Sequence, residues 1–184
     1  GPADGLADAE IIACGARVLA DLGVLDKCIL HLNSLGDTDS RKAYRTALVA
    51  YFEAHAEALS DDSKARLQTN PLRILDSKDA GDRAILTDAP RLDAHLNDVS
   101  KAHFVAVTSA LDAAGISWKF DPLLVRGLDY YCHTAFEFIT DALGAQGTVL
   151  GGGRSDGLSE MLGGPPVAGV GGARGRASRA RAEG

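Results

Sequence analysis

Leu124-Val-Arg-Gly-Leu-Asp-Tyr-Tyr131 sets one fixed positive charge, one carboxylate and two phenols within six consecutive positions, Arg126 to Tyr131. A surface loop seldom concentrates chemistry in this way. Downstream, Gly151-Gly-Gly-Arg-Ser-Asp-Gly-Leu158 reads as a glycine-rich turn with a second Arg and a second Asp. Between the two, Thr134-Ala-Phe-Glu-Phe-Ile-Thr140 sets Phe136 and Phe138 in alternation with Ala135, Glu137 and Ile139, which predicts a strand with one face on a core. Two polar turns flanking a strand are the frame from which the rest of the chain is read.

Working outward, Ile116–Phe120 predicts a strand feeding Asp121-Pro122, and residues 147–151 predict another. Upstream, apolar residues at helical spacing predict helices over Ala9–Leu22, closed by Gly23, and over Val99–Ala114, closed by Gly115. Val24–Leu35 reads as a short strand. Asp39–Leu59 is a long amphipathic helix capped by Asp39 or Ser40, and Ser60 caps a shorter helix to Gln68 that Asn70-Pro71 ends. Broken spacing around Pro90 predicts two short helices within 82–97, and Gly157–Leu162 supplies a turn or two of helix. An early strand, a helical middle and a strand-rich end predict an α+β domain with a helical insertion.

At 184 residues and 46% hydrophobic the chain can bury a core. No run approaches the roughly 18 consecutive apolar residues of a membrane helix, and Gly1-Pro-Ala-Asp4 lacks a signal peptide's basic and apolar regions, which leads to a cytoplasmic expectation with no membrane partner. Cys14, Cys28 and Cys132 show neither Cys-x-x-Cys nor zinc spacing; reduced, buried, unligated thiols and no metal site are expected. His31 is expected to be a neutral, hydrogen-bonded ring, since nothing near it in sequence supplies a catalytic partner, and His133 a strand-edge residue. A net charge of −6 argues against a generally basic nucleic-acid surface, yet Gly172–Gly184 holds four Arg against one Glu.

Taken alone, each motif also has a plain reading: a turn with a surface ion pair and half-buried phenols, or a glycine-rich hairpin without a ligand. Their order and spacing decide otherwise. Together they resemble the histidine-recognition motifs of histidyl-tRNA synthetases, class II aminoacyl-tRNA synthetases. Leu32-Asn-Ser-Leu-Gly36, Thr69-Asn-Pro-Leu-Arg-Ile-Leu-Asp-Ser-Lys78, Asp88-Ala-Pro90 and Gln146-Gly-Thr148 resemble the same family in matching order. The resemblance implies an antiparallel sheet with flanking helices, a first part of the catalytic core over 1–35, a helical insertion over 36–98 near the acceptor stem of tRNA-His, and a second core part over 99–171. It implies ATP with Mg2+, L-histidine and tRNA-His as substrates and a homodimer as the family's assembly. Arg126 matches the family's contact to the α-phosphate and the substrate carboxylate, where an always-protonated planar guanidinium can grip two oxygens. Tyr131 matches the phenol lining the histidine pocket, Tyr130 and Asp129 supporting residues, and Gly152 and Gly153 backbone close to the ligand.

The sequence also departs from that pattern. Ser155 stands where the family has a Tyr that touches the imidazole, and serine would need a bridging water to replace it. Class II motifs 1 and 2, with the dimer-forming segment and an ATP-gripping Arg, are not found in these residues, so the expectation is a part of the catalytic core that is inactive alone. A rival reading is a histidine-sensing regulatory paralogue of ATP phosphoribosyltransferase, which the insertion-like 36–98 argues against. After Val167-Ala-Gly-Val-Gly171, the segment 172–184 contains no Leu, Val, Ile or aromatic residue. It reads as a disordered tail, either a wrong-frame translation of GC-rich DNA or a basic arm for tRNA phosphates.

Overall fold

The computed structural model describes residues 1–128, 130–141 and 147–174; the side chain of Arg174 is not described. Helix α1 spans Gly5–Asp21, four residues earlier at its start than the apolar spacing predicts, because Asp4 is the N-cap and accepts from Ala7 N at 3.1 Å. A 3₁₀ turn over Leu25–Lys27 occupies the start of the expected early strand, and β1 is confined to Ile29–Ser34. The helical stretch follows as α2 (Thr38–Ala54), α3 (Asp61–Thr69) and α4 (Ala80–Leu86), with 3₁₀ turns over Ala56–Ala58, Pro71–Asp76 and Leu92–His95, and then α5 (Asp98–Ala113). Asp37, not Asp39 or Ser40, caps α2 by accepting from Ser40 N at 2.8 Å. Ser60 caps α3 as its sequence predicts. The chain ends with β2 (Trp118–Phe120), β3 (Cys132–Thr140), β4 (Gly147–Arg154), α6 (Leu158–Met161) and β5 (Val170–Arg174).

The five strands form one sheet in the order β2-β1-β3-β4-β5. It is mixed, not wholly antiparallel: β1 and β2 run parallel, in register from Leu30↔Trp118 to Leu32↔Phe120. Parallel neighbours require a long crossover, and here the chain between them contains α2 to α5. On one face of the sheet Leu30, Leu32, Phe136, Phe138 and Leu150 pack against Ile12, Ala16 and Leu19 of α1 and Val107 and Leu111 of α5. Gly5 lets the two helices meet, since a Cβ there would lie 2.7 Å from His103 O. A second apolar cluster lies in the helical stretch, built from Tyr44, Leu48 and Phe52 of α2 with Leu59, Leu67, Ile74, Leu86 and Leu96. Val125, next to Arg126, packs against this second cluster.

Two expectations about the glycine-rich segment are corrected. Gly151–Arg154 is not a turn but the second half of β4, and the turn begins at Ser155. The chain also stays in the fold past Gly171, because Gly172, Ala173 and Arg174 extend β5 alongside Gly152, Gly151 and Leu150. A strand joins a ladder through its backbone, so an absence of large apolar side chains does not prevent pairing. Residues 175–184 of the expected tail, like Asp129, Ala142 and Gln146, lie outside the described residues. The thiols are also less buried than expected: Cys14 is exposed, and Cys28 and Cys132 are half-buried. Among the described residues no helix is long and apolar enough to cross a membrane.

Candidate functional site

The sheet face opposite α1 and α5 carries Arg126. Its loop, residues 121–131, is tied to β1 by Asn33, whose Nδ2 donates to Leu124 O at 2.9 Å, and Leu124 packs with Leu35, Ala135 and Tyr131. From there the Arg126 guanidinium lies across β3 and β4. Nη1 donates to Glu137 Oε1 at 2.6 Å, Nη2 to Phe136 O at 2.6 Å and Gly152 O at 2.9 Å, and Nε to Gly152 O at 3.3 Å. Thr148 Oγ1 donates to the other Glu137 oxygen at 2.7 Å. These bonds use four of the guanidinium's five N–H donors, and the side chain remains 15% exposed. The charge is held flat and in place, but it is not sealed off.

The alternation of β4 decides which glycines share this face. A Cβ on Gly151 would lie 3.3 Å from Arg126 Nη2, and one on Gly153 3.3 Å from the Tyr131 ring. Gly152 points the other way: its Cβ would stand 2.1 Å from Gly171 O and 2.7 Å from Phe136 Cζ. Sheet packing alone therefore demands glycine at 152, whether or not a ligand approaches its backbone. Gly153 has an internal reason too, with Thr134 O 2.6 Å from the same Cβ position.

Arg126 and Tyr131 line one cleft together with Asn33, Arg41 and, from the helical stretch, Tyr44, Leu72 and Leu75. Its free volume is about 30 Å³, room for a water and far below the ~300 Å³ at the lower end of ligand pockets. Tyr130 and Ser155 are not in this cleft. Tyr130 packs its ring, tilted by 37°, against that of Tyr131 with centroids 4.6 Å apart and lines a second cleft of about 380 Å³ with Asp37, Arg41, His133, Asp156 and Glu160. Ser155 turns to the following segment, its N–H donating to Gly169 O at 2.7 Å.

The second motif's arginine is placed quite differently. Arg154 is wholly buried, with Nη2 2.5 Å from Oδ1 of the equally buried Asp8 on α1. Arg154 also donates to Pro2 O, Asp4 O and Asp156 Oδ1, while Asp8 further accepts from His103 Nε2 at 2.8 Å and from Thr134 Oγ1. Burial pushes the Asp8 carboxyl up, but the bonds from His103, Arg154 and Thr134 outweigh it and hold the group below the ordinary aspartate value. His133 is no strand-edge bystander: it has φ +48°, its ring stacks on His103 at 4.4 Å, and its Nδ1 is buried without a hydrogen-bond partner among the described residues. Burial, then the neighbouring His103, lower its basicity. His31 finds a partner 90 residues away, Asp121 Oδ2 at 2.8 Å.

Asn33, Glu137 and Asp8 escape the sequence reading. Glu137 was within reach, since strand alternation already sets it opposite Phe136 and Phe138. Asp8 had no local signal, because its partner lies 146 residues on. Among the described residues no His, Cys, Asp and Glu group is arranged to hold a metal ion.

No family model matches the chain. Curated relatives do. The histidine–tRNA ligase of Rhodospirillum rubrum is 61% identical over 170 residues, which is 92% of this chain and 41% of the relative. That of Gluconacetobacter diazotrophicus is 57% identical over 175 residues, 95% of this chain and 42% of the relative. Apo histidyl-tRNA synthetase from S. aureus superposes with a TM-score of 0.75 at 40% identity, covering 95% of this chain and 42% of that one. An ATP phosphoribosyltransferase regulatory subunit/histidyl-tRNA synthetase from Bacillus halodurans, at 22% identity and TM-score 0.54 over 95% of this chain and 49% of that one, shares the fold alone. The chain thus spans about two fifths of the length of the curated relatives it matches and, through those matches and the two motifs, belongs as a partial stretch to the class II histidyl-tRNA synthetase family.

Proposed function

We propose that the chain is the histidine-binding part of the catalytic core of a cytoplasmic histidine–tRNA ligase, which activates L-histidine with ATP and Mg2+ and transfers it to tRNA-His. The observation that carries this reading is the meeting of Arg126, Tyr131, Gly151 and Gly153 on one sheet face from two separated motifs. Arg126 would span the histidine carboxylate and the α-phosphate of ATP. As the carboxylate attacks phosphorus, charge grows on the phosphate oxygens, and a guanidinium already fixed by Glu137 and two carbonyls needs little reorganisation to answer it. Tyr131 would border the imidazole. Residues 36–98 would be the insertion that approaches the acceptor stem, and the assembly a homodimer.

A histidine side chain is larger than the free volume of the Arg126–Tyr131 cleft, so binding there would need the cleft's lining to open. Calorimetric titration of the chain with L-histidine tests the reading: heat is expected, and Tyr131→Ala should weaken the binding while leaving it measurable. Absence of heat with the unaltered chain would overturn the histidine assignment. The 184 residues alone are expected to give no histidine-dependent exchange of pyrophosphate into ATP. Each missing oriented phosphoryl donor is worth ~2.7–4 kcal/mol, so several together remove at least ~10⁴ of rate.

A further inference from the structure

We infer that Arg41, on the first turn of α2, is a positioning residue for Tyr131: it fixes the recognition loop to the root of the helical stretch, so that the seating of α2 sets the geometry of the histidine pocket. This rests on the reading that the Arg126–Tyr131 face binds histidine. Arg41 Nη1 donates to the Tyr131 carbonyl at 2.5 Å across 90 residues of sequence. The same side chain lines both clefts, the one that Tyr131 borders and the one that Tyr130 borders. A charged donor on a neutral carbonyl is a stronger tie than an amide–carbonyl bond. Its planar fork also loses less freedom on binding than a lysine chain would.

The base from which Arg41 reaches is itself locked. The N-termini of α2 and α5 cap each other as well as themselves: Asp37 N donates to Ser100 Oγ at 3.0 Å, Asn97 Nδ2 to Asp37 Oδ2 at 2.6 Å and Asn97 N to Ser40 Oγ at 3.1 Å. Burial raises the Asp37 carboxyl, but the bonds from Ser40 and Asn97 bring it below its ordinary value. On the far side of Tyr131 the chain is gripped again, by His133 N to Gly36 O at 2.8 Å and Leu35 N to His133 O at 2.5 Å. Tyr131 is therefore held at its own carbonyl and again two residues on, and both holds come from the segment 35–41 where the chain leaves β1 for α2. Meanwhile Val125, six residues before Tyr131, rests on the apolar cluster of the helical stretch. A displacement of α2 reaches the recognition loop through Arg41 at one end and Val125 at the other.

The test combines histidine titration with nuclear magnetic resonance of the chain carrying labelled tyrosine. Arg41→Met should weaken histidine binding about tenfold, the worth of one charge-assisted bond, and Arg41→Lys should restore part of the loss. The Tyr131 ring resonances should shift in ligand-free Arg41→Met while those of Tyr51 stay in place. In a Tyr131→Ala background Arg41→Met should change nothing further in binding, because Arg41 acts through the placement of the Tyr131 ring, which that background lacks. Equal losses with and without Tyr131, or unmoved Tyr131 resonances, would overturn the inference. Should the unaltered chain show no histidine heat, the site reading fails, and the resonances alone then decide whether Arg41 holds Tyr131.

Discussion

Arg126 and Arg154 look interchangeable in the sequence, each following or preceding glycine and each with an aspartate two or three residues on. In the fold they are opposites. Arg126 crosses the open sheet face, 15% exposed and paired with Glu137, which is itself partly exposed. Arg154 is sealed under α1, its charge consumed by Asp8, Asp156 and two carbonyls. A fixed charge can answer a ligand only if the ligand can reach it. The first motif therefore leaves its charge within reach of a ligand, whereas the second offers a strut that holds the turn after β4 in place, with Gly151 and Gly153 as its contribution to the open face.

The largest expected effect breaks the strut. Arg154→Met leaves Asp8 buried with His103 and Thr134 but without its guanidinium, and should destabilise the fold by about 3–5 kcal/mol in urea unfolding. A loss below about 1 kcal/mol would mean that water reaches Asp8 and that the two arginines differ less than their burial indicates. The contrast sharpens with a third carboxylate. Asp82, also buried, is held without a cation among the described residues: Ser60, Ser63 and Ser77 hydroxyls and Ser60 N–H all donate to it.

Asp82→Ala should cost roughly 2–3 kcal/mol, because three serines lose a charged acceptor. Burial works against the Asp82 charge, but the four donors prevail and depress its pKa from 3.8 to about 2. In acid the unfolded chain therefore takes the proton first. The stabilisation is whole above pH 3.8 and is lost as pH falls through about 2. Urea midpoints of the unaltered chain and Asp82→Ala should converge over that interval, and parallel curves would show that the serines do not hold a carboxylate.

Arg126→Ala should cost the fold only about 1–2 kcal/mol, since Glu137 and the freed carbonyls gain access to water. Its main effect belongs to function. In a full-length protein built around this chain it should slow adenylate formation at saturating ATP far more than it weakens ATP binding. An unchanged rate would make Arg126 a second strut and erase the comparison. The smallest effect concerns the neighbour of the buried arginine: Ser155→Tyr in that protein should tighten histidine binding by on the order of 1 kcal/mol, one hydrogen bond. Unaltered affinity would mean that Ser155, turned toward Gly169, does not face the ligand.

Much of the chemistry with a local cause was legible, the Asp4 and Asp37 caps of α1 and α2 excepted. The 3.6-residue spacing of Ile12 and Leu19, the Ser60 cap, the stops at Gly23 and Gly115 (φ +68° and +70°) and the alternation of Phe136 and Phe138 all arise within a few residues of each other, and each is where the sequence predicts. The two motifs, in order and spacing, were enough to point to the family. What the sequence could not reveal depends on partners far along the chain. Only folding sets Asp8 beside Arg154, His31 beside Asp121 and Arg41 beside the Tyr131 carbonyl. The pairing of β4 with β5, together with the Phe136 ring, gives Gly152 a packing requirement that its place in a glycine run does not show. An arginine's residue type guarantees its charge, but whether that charge faces a substrate or a buried carboxylate is decided by which surfaces the tertiary structure brings over it.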